Sequence, residues 1–347
     1  MPKPLVLLTP RPAGRTPDVR RHARCRRGRW PLAALLLAPA LAGCEGRQSA
    51  FAPFGEEAAA TLTLTAVMVA GAALILGALL FLMWHASRAP EGSLGLRGGT
   101  IFIISAGAIF PTVVLLALLA FALPAMRPLP ADDGALRIVV TGEQFWWRVR
   151  YEPPGAPPFE TANQVRVPVG QPLVLELRGG DVLHSFWIPG LSGKMDMIPG
   201  RANRLVVRAT KAGRFRGQCT EFCGLSHALM AFEVEALAPA AFVGWMAAER
   251  APAPVAAVPG RALFQRHGCG GCHRVAGHGA AGAIGPDLTH FAGRQTLGAM
   301  TLRQEPGRVA AFIRHPEAFK PGVRMPAYPQ MSEAEARAIA SYLLELR

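Results

Sequence analysis

Two long apolar runs dominate the first third of the chain, because Ala58–Trp84 and Gly98–Met126 hold no charged residue. About 20 apolar residues cross a bilayer core, so both runs predict transmembrane helices, joined as a hairpin over 58–126. Pro111 and Pro124 are tolerated in such helices. Two buried core helices are the competing reading, which the length of the runs disfavours. From Leu136 to Phe232 the period changes to two. Val165–Val169, Leu173–Arg178 and Arg204–Arg208 read as strands interrupted by Gly170 and Gly179-Gly180, which predicts a small β-sandwich or barrel within 127–250. Ala251–Gly260 is a Pro/Ala-rich linker that spans ~30 Å if extended, enough for the next domain to reach the β-domain without being fixed there. Residues 261–347 predict a mostly helical domain. Its last helix, over Ser332–Leu346, opens on a capping box of Ser332 and Glu335.

Composition adds a leader to this scheme. The 347 residues carry a net charge of +14, with 51% hydrophobic and 17% charged positions, which disfavours disorder or a plain soluble domain. Nine basic residues and one acidic residue fall within 1–43, so the charge is mostly a leader effect and gives nucleic acid no support as a partner. A basic block, Arg20–Arg29, precedes the apolar run Trp30–Ala42 and the small residues before Cys44, the pattern of a secretory signal peptide over 1–43. Leu41-Ala42-Gly43-Cys44 resembles a bacterial lipobox, which implies lipidation of Cys44; a free or buried cysteine after an ordinary signal is the alternative. Residues 44–57 then form a short exported segment. Arg88 and Arg97 against Glu91 put the inter-span turn on the inner side, so everything after Arg127 returns to the outer, periplasmic side of a bacterial inner membrane.

Cys25 falls in the leader, and the last four cysteines form two close pairs, Cys219/Cys223 and Cys269/Cys272. Pairs in an exported chain suggest disulfides, but each of these is followed closely by a histidine. The first lies in C-x-E-x-C-G-x-x-H-x-x-M, which packs Cys219, Cys223, His227 and Met230 into twelve residues. Soft thiolate and thioether ligands suit copper, and methionine argues against zinc, although a disulfide or zinc clip stays open. His184, in Asp181-Val-Leu-His184-Ser, offers a second imidazole. The second pair lies in Cys269-Gly-Gly-Cys272-His273, the haem c attachment pattern, with a redox dithiol or zinc knuckle as alternatives. Met325, before Pro326, is the expected distal iron ligand, with Met300 and Met331 as competitors.

The first motif, with D-V-x-H-S and G-K-M-D-M-I-P-G-R upstream of it, resembles the dinuclear CuA site of cytochrome c oxidase subunit II. With the fused cytochrome the chain resembles subunit II of a caa-type oxidase. That resemblance implies a multidomain membrane protein: a two-helix hairpin, a cupredoxin-like β-barrel and an all-α class I cytochrome c domain. It implies that Cys219 and Cys223 bridge two copper ions and that His184 and His227 ligate one each. Met230 is then a weak ligand, Glu221 contributes its carbonyl, and the Glu221 carboxylate helps hold magnesium at the boundary with subunit I. In the family, aromatic residues like Phe145, Trp146 and Trp147 take part in accepting electrons from cytochrome c. Relatives start that run with Trp where this chain has Phe145. Many also place a glutamate seven residues before the proline of the second span, where this chain has Ile104, so no proton-path residue is assigned. The implied function is electron relay from haem c to CuA and on to the oxygen-reducing site of subunit I, in a respiratory translocase. Implied partners are subunits I and III, membrane lipid, and an external cytochrome c or quinol–cytochrome c reductase as donor. A copper-binding assembly or electron-transfer membrane protein outside any oxygen reductase is the alternative. The copper motif argues against a quinol oxidase subunit, and the hairpin argues against a nitrous-oxide-reducing enzyme.

Overall fold

The computed structural model describes residues 46–90, 96–127, 129–130, 134–253 and 259–347. The signal peptide, Cys25, Cys44, Glu91 and the middle of the predicted linker lie outside the described residues.

The first run is one helix, α1 (Glu56–Ala86), and the second is built from α2 (Leu96–Ile104) and α3 (Phe110–Ala125). Between α2 and α3 the chain widens into a π-helical turn, Ser105–Ile109, immediately ahead of Pro111. Proline supplies no N–H and its ring crowds the carbonyl four residues earlier, and a wider turn absorbs both. Both helices are long and apolar enough to cross a membrane. Side chains such as Leu74, Met83, Ile103 and Leu115 are exposed along them. The short segment before α1 packs on the β-domain: Phe54 stacks on Phe215, and the Phe54 amide donates to Gly190 O at 2.7 Å.

Ten strands form two five-stranded sheets. One holds β1 (Arg137–Glu143), β2 (Trp146–Glu152), β3 (Phe159–Ala162), β5 (Pro172–Gly179) and β8 (Ala202–Arg208), in the order β3-β2-β1-β5-β8. The other holds β4 (Gln164–Pro168), β6 (His184–Trp187), β7 (Met195–Met197), β9 (Gly213–Cys219) and β10 (Ala231–Leu237), in the order β4-β10-β9-β6-β7. Alternation decides which face turns inward. In β2, Trp147, Val149 and Tyr151 are buried while Trp146, Arg148 and Arg150 are not. They join Ile138, Leu175 and Phe232 in one core, and each such side chain contributes ~1.5–3 kcal/mol by leaving water. Tyr151 also ties the sheets, donating to Arg166 O at 3.0 Å and accepting from the Arg166 amide at 2.7 Å. The helix α4 (Pro239–Arg250) packs Trp245 against Tyr151 and Phe159. The fold is a two-sheet sandwich, as the alternation predicts, of the cupredoxin-like type that the resemblance implies.

The C-terminal domain is less helical than its sequence pattern suggests. Its helices are α5 (Pro259–Arg266), α6 (Pro306–Arg314), α7 (Pro316–Phe319) and α8 (Glu333–Leu343). The stretch from His267 to Glu305 is turns, 3-10 turns and two small β-ladders, because closely spaced glycines weaken helix there. The capping box is present: the Glu335 amide donates to Ser332 Oγ, and the Ser332 amide donates to the Glu335 carboxylate. Phe264, Val309, Phe312, Ile339 and Leu343 make a separate core. The linker departs from expectation. Ala253 is buried in this second core with its amide on Ala276 O, and Ala251 O lies 3.0 Å from His290 Nε2, so the linker's start is fixed to the domain it leads into.

Candidate metal and haem centres

The six candidate copper positions converge where one sheet ends. Cys219 is the last residue of β9 and His184 the first of β6, and the register sets Phe186 beside Cys219. The intervening loop brings back Cys223, His227 and Met230, and its base is closed by the Cys219 amide on Met230 O at 3.0 Å. Both cysteines are free and buried. Their sulfurs are 3.9 Å apart, with His184 Nδ1 3.8 Å from Cys219, His227 Nδ1 3.6 Å from Cys223 and Met230 Sδ 3.7 Å from Cys223. Glu221 O lies 3.2 Å from Cys219 Sγ. One hydrogen bond between the thiols dominates their titration. It holds Cys219 down, to about 4, and pushes Cys223 up. Burial opposes charging of His184, but its contacts with Cys219 and Asp181 outweigh that and raise its pKa. Two imidazoles, two thiols, a thioether and a carbonyl in one buried cluster are a donor set that fits two bridged copper ions.

Residues that sequence reasoning left without a role hold this cluster in place. Asp181 Oδ1 takes His184 Nε2 at 2.9 Å, while Oδ2 takes the Gln144 amide at 2.8 Å. The Gln144 side chain donates to Cys223 O at 2.6 Å. Asp181 was visible in the motif, whereas nothing local marks Gln144. Gly142 is required at the back of the site, because an added Cβ would meet His184 Cγ at 2.8 Å.

The haem candidates line one cavity of about 380 Å³, whose walls include Cys269, Cys272, His273 and Met325. His273 Nδ1 is 2.8 Å from Pro286 O, so it donates there and leaves Nε2 unprotonated for a metal. Burial also lowers the His273 pKa, which favours the neutral, ligating form. Arg294 is buried against the cavity, its Nε without a hydrogen-bond partner among the described residues. An apolar slot with two thiols, an imidazole, a thioether and a spare buried cation fits a covalently attached haem with acidic side groups. Met331 lies in the domain core instead, and Met300 is not among the cavity's walls.

The three aromatic candidates separate. Trp147 belongs to the sandwich core, 6.3 Å from the His184 ring. Trp146 and Phe145 line the haem cavity from the β-domain side. Phe145 occupies the turn between β1 and β2 rather than a strand, and it is buried. The Glu221 carboxylate is partly exposed, 3.9 Å from Lys194 Nζ. Ile104, at the expected acidic position, is exposed on the second apolar helix.

Comparison with known proteins bears on both centres. Residues 151–237 match the family model "Cytochrome C oxidase subunit II, periplasmic domain", and residues 257–347 match "Cytochrome c". Cytochrome c oxidase subunit 2 of Alkalihalophilus pseudofirmus is 42% identical over 219 residues, which is 62% of this chain and 62% of that protein. The chain thus spans under two thirds of that relative's length. The subunit 2 of Branchiostoma floridae is 31% identical over 159 residues, covering 40% of this chain and 68% of that one. The crystal structure of the periplasmic domain of subunit II of cytochrome oxidase (CoxB) of Bradyrhizobium japonicum is 32% identical. It covers 35% of this chain and 96% of its own, with a TM-score of 0.33.

Proposed function

Since the chain belongs to the cytochrome c oxidase subunit II family and carries a fused cytochrome c domain, we propose that it relays electrons from haem c to CuA and on to an oxygen-reducing subunit I. The observation that carries this is the convergence of His184, Cys219, Cys223, His227 and Met230, with Glu221 O, on one buried cluster. When bound, the copper ions and the haem supply one-electron redox chemistry. The protein's part is to hold the ligands rigidly: Asp181 orients the His184 ring, Gln144 fixes the Cys223 backbone, and Pro286 O orients His273. Such support limits ligand movement as charge changes. Met325 completes the iron ligands, with the thiols of Cys269 and Cys272 forming the covalent links.

Phe222 and Leu225, 76% and 79% exposed on the copper loop, offer an apolar surface for subunit I, with subunit III bound in the same assembly. The neighbouring Glu221 carboxylate, donated across that boundary, is suited to a shared magnesium ion. An external cytochrome c or a quinol–cytochrome c reductase would supply electrons. One optical spectrum of the purified full chain tests the relay. It is expected to show both haem c bands and near-infrared copper absorption; a chain that takes up neither group would overturn the proposal.

The same reading places α1 to α3 across the bacterial inner membrane, with both domains on the periplasmic side. The start of α1 lies at the β-domain, where Glu56 is 3.1 Å from Arg208, so the hairpin begins on the side of the sandwich. A cytoplasm-active reporter fused after Ser87 is expected to give signal, and one fused after Gly134 none. The inverse pattern would put both centres in the wrong compartment for their assembly.

A further inference from the structure

One short segment ahead of Met325 makes the domain contacts nearest the copper loop, while Arg148 Nη2 donates to Ala283 O at 2.9 Å and Arg166 Nη2 to Gly293 O at 3.4 Å elsewhere between the domains. Lys320 donates from Nζ to Leu229 O at 2.8 Å and to Gly298 O at 2.8 Å. The first carbonyl precedes Met230 in the copper loop, and the second belongs to the cytochrome domain. Pro321 O accepts from Ser226 Oγ, next to His227, at 2.7 Å. Arg324 Nη2 lies 2.9 Å from Asp181 Oδ2, the carboxylate that orients His184. Lys320–Arg324 therefore touches the immediate supports of three of the six proposed copper positions. Gly322, at φ +75°, lets the segment pass over Phe145: an added Cβ would sit 3.3 Å from Phe145 Cε2 and from Leu225 Cδ1.

Lys320 is the most costly of these groups to place. It is 2% exposed, and the hydrogen-bond partners of its Nζ among the described residues are carbonyls rather than carboxylates. A buried ammonium persists only where good acceptors replace its water. Here both of its acceptors are carbonyls, one from each domain, so the ammonium bridges the two domains while they are together. Removing it leaves Gly298 O with the Thr301 hydroxyl as its donor at 2.6 Å, while Leu229 O on the copper loop loses its short contact and keeps only the alternative reach of that same hydroxyl at 3.4 Å. Loss of Lys320 should therefore cost domain contact rather than the fold of either domain.

We propose that Lys320 is a positioning residue that locks the cytochrome domain onto the copper loop, holding the two redox centres in one geometry and covering Phe145 against external donors. This rests on the relay described above. Lys320→Met replaces the cation with an apolar side chain of similar length, and the paired change Ser226→Ala with Arg324→Gln weakens the contact while leaving Lys320 in place. Hydrogen exchange on the purified full chain reads the contact whatever the centres hold. Amides of 226–230 and 298–301 are expected to exchange faster in Lys320→Met, with the sandwich and helical cores unchanged. In the loaded chain, pulsed dipolar EPR should show a narrow copper-to-haem distance distribution that broadens in the variant. If nine molecules in ten then lie undocked, haem-to-copper transfer slows ~10-fold. The paired variant should shift both readouts in the same direction.

Unchanged exchange and an unchanged distance distribution in Lys320→Met would overturn the proposal. So would a changed haem spectrum with the domain contact intact, which would place the work of Lys320 inside the haem pocket. A wild-type chain that lacks copper or haem signals, with the exchange effect still seen in its Lys320→Met variant, would defeat the relay and leave the lock standing. If Lys320→Met does not fold, unchanged exchange in the paired variant is the overturning result.

Discussion

Replacement of Cys219 or Cys223 by serine is expected to abolish the signal of the proposed dinuclear copper centre. The two sulfurs lie 3.9 Å apart, and each faces a different imidazole, His184 for Cys219 and His227 for Cys223. In the proposed centre each thiol would bridge both metal positions, so loss of either would remove more than one ligand from one metal. A serine hydroxyl is no substitute, since it is harder than a thiolate and stays protonated at neutral pH. His227→Ala is milder, because it strips one terminal ligand and leaves the bridge. EPR of the oxidised full chain checks this. The mixed-valence hyperfine pattern should be absent from both serine variants and distorted in His227→Ala, while the haem c bands persist in all three. A mixed-valence pattern that survives in either serine variant contradicts the bridging assignment.

The parts of this molecule that could be read from the sequence are those whose chemistry is packed into a few consecutive residues. Twelve residues from Cys219 to Met230 hold donors that suit a soft metal, and Cys269–His273 holds the haem c attachment pattern, with the fuller ligand sets implied by the family resemblance. Alternation located the strands around Val165–Val169 and Leu173–Arg178, and unbroken apolar runs located the two long apolar helices. What was hidden depends on contacts between distant residues. Gln144 supports Cys223 from 79 positions away, and Lys320 meets Leu229 across 91. No local pattern marks a glutamine or a lysine for such a role. The linker was misread for a related reason. Pro and Ala suggest an extended, unattached strand of chain, but Ala253 is apolar enough to be captured by the second core. Phe145 lies in a turn because the register of β1 with β2 pairs Glu143 with Trp146 and leaves Gln144 and Phe145 between them.

With its native donor, an oxidase carrying His273→Ala in this subunit is expected to lose nearly all turnover. His273 is the ring oriented by Pro286 O toward the cavity, and alanine offers the iron nothing in its place. Cys269 and Cys272 keep the haem attached, so the lesion is in ligation and potential rather than in haem content. Soluble cytochrome c should rescue the variant only in part. The docked cytochrome domain still covers Phe145 with Gly322, and an external donor must reach the copper face by encounter. A tethered donor at an effective ~1 mM, against an external one at ~1 µM, sets a handicap of ~10³ for the bimolecular route. Since Ala253 is fixed to the second core, the tether is shorter than its composition implies, which strengthens that advantage. Rescue should also fall steeply with added salt, as an electrostatically steered encounter does. Oxygen consumption measured against external cytochrome c at low and high ionic strength decides the matter. Full turnover by His273→Ala at low donor concentration would mean that the copper face is open and accepts electrons directly from solution.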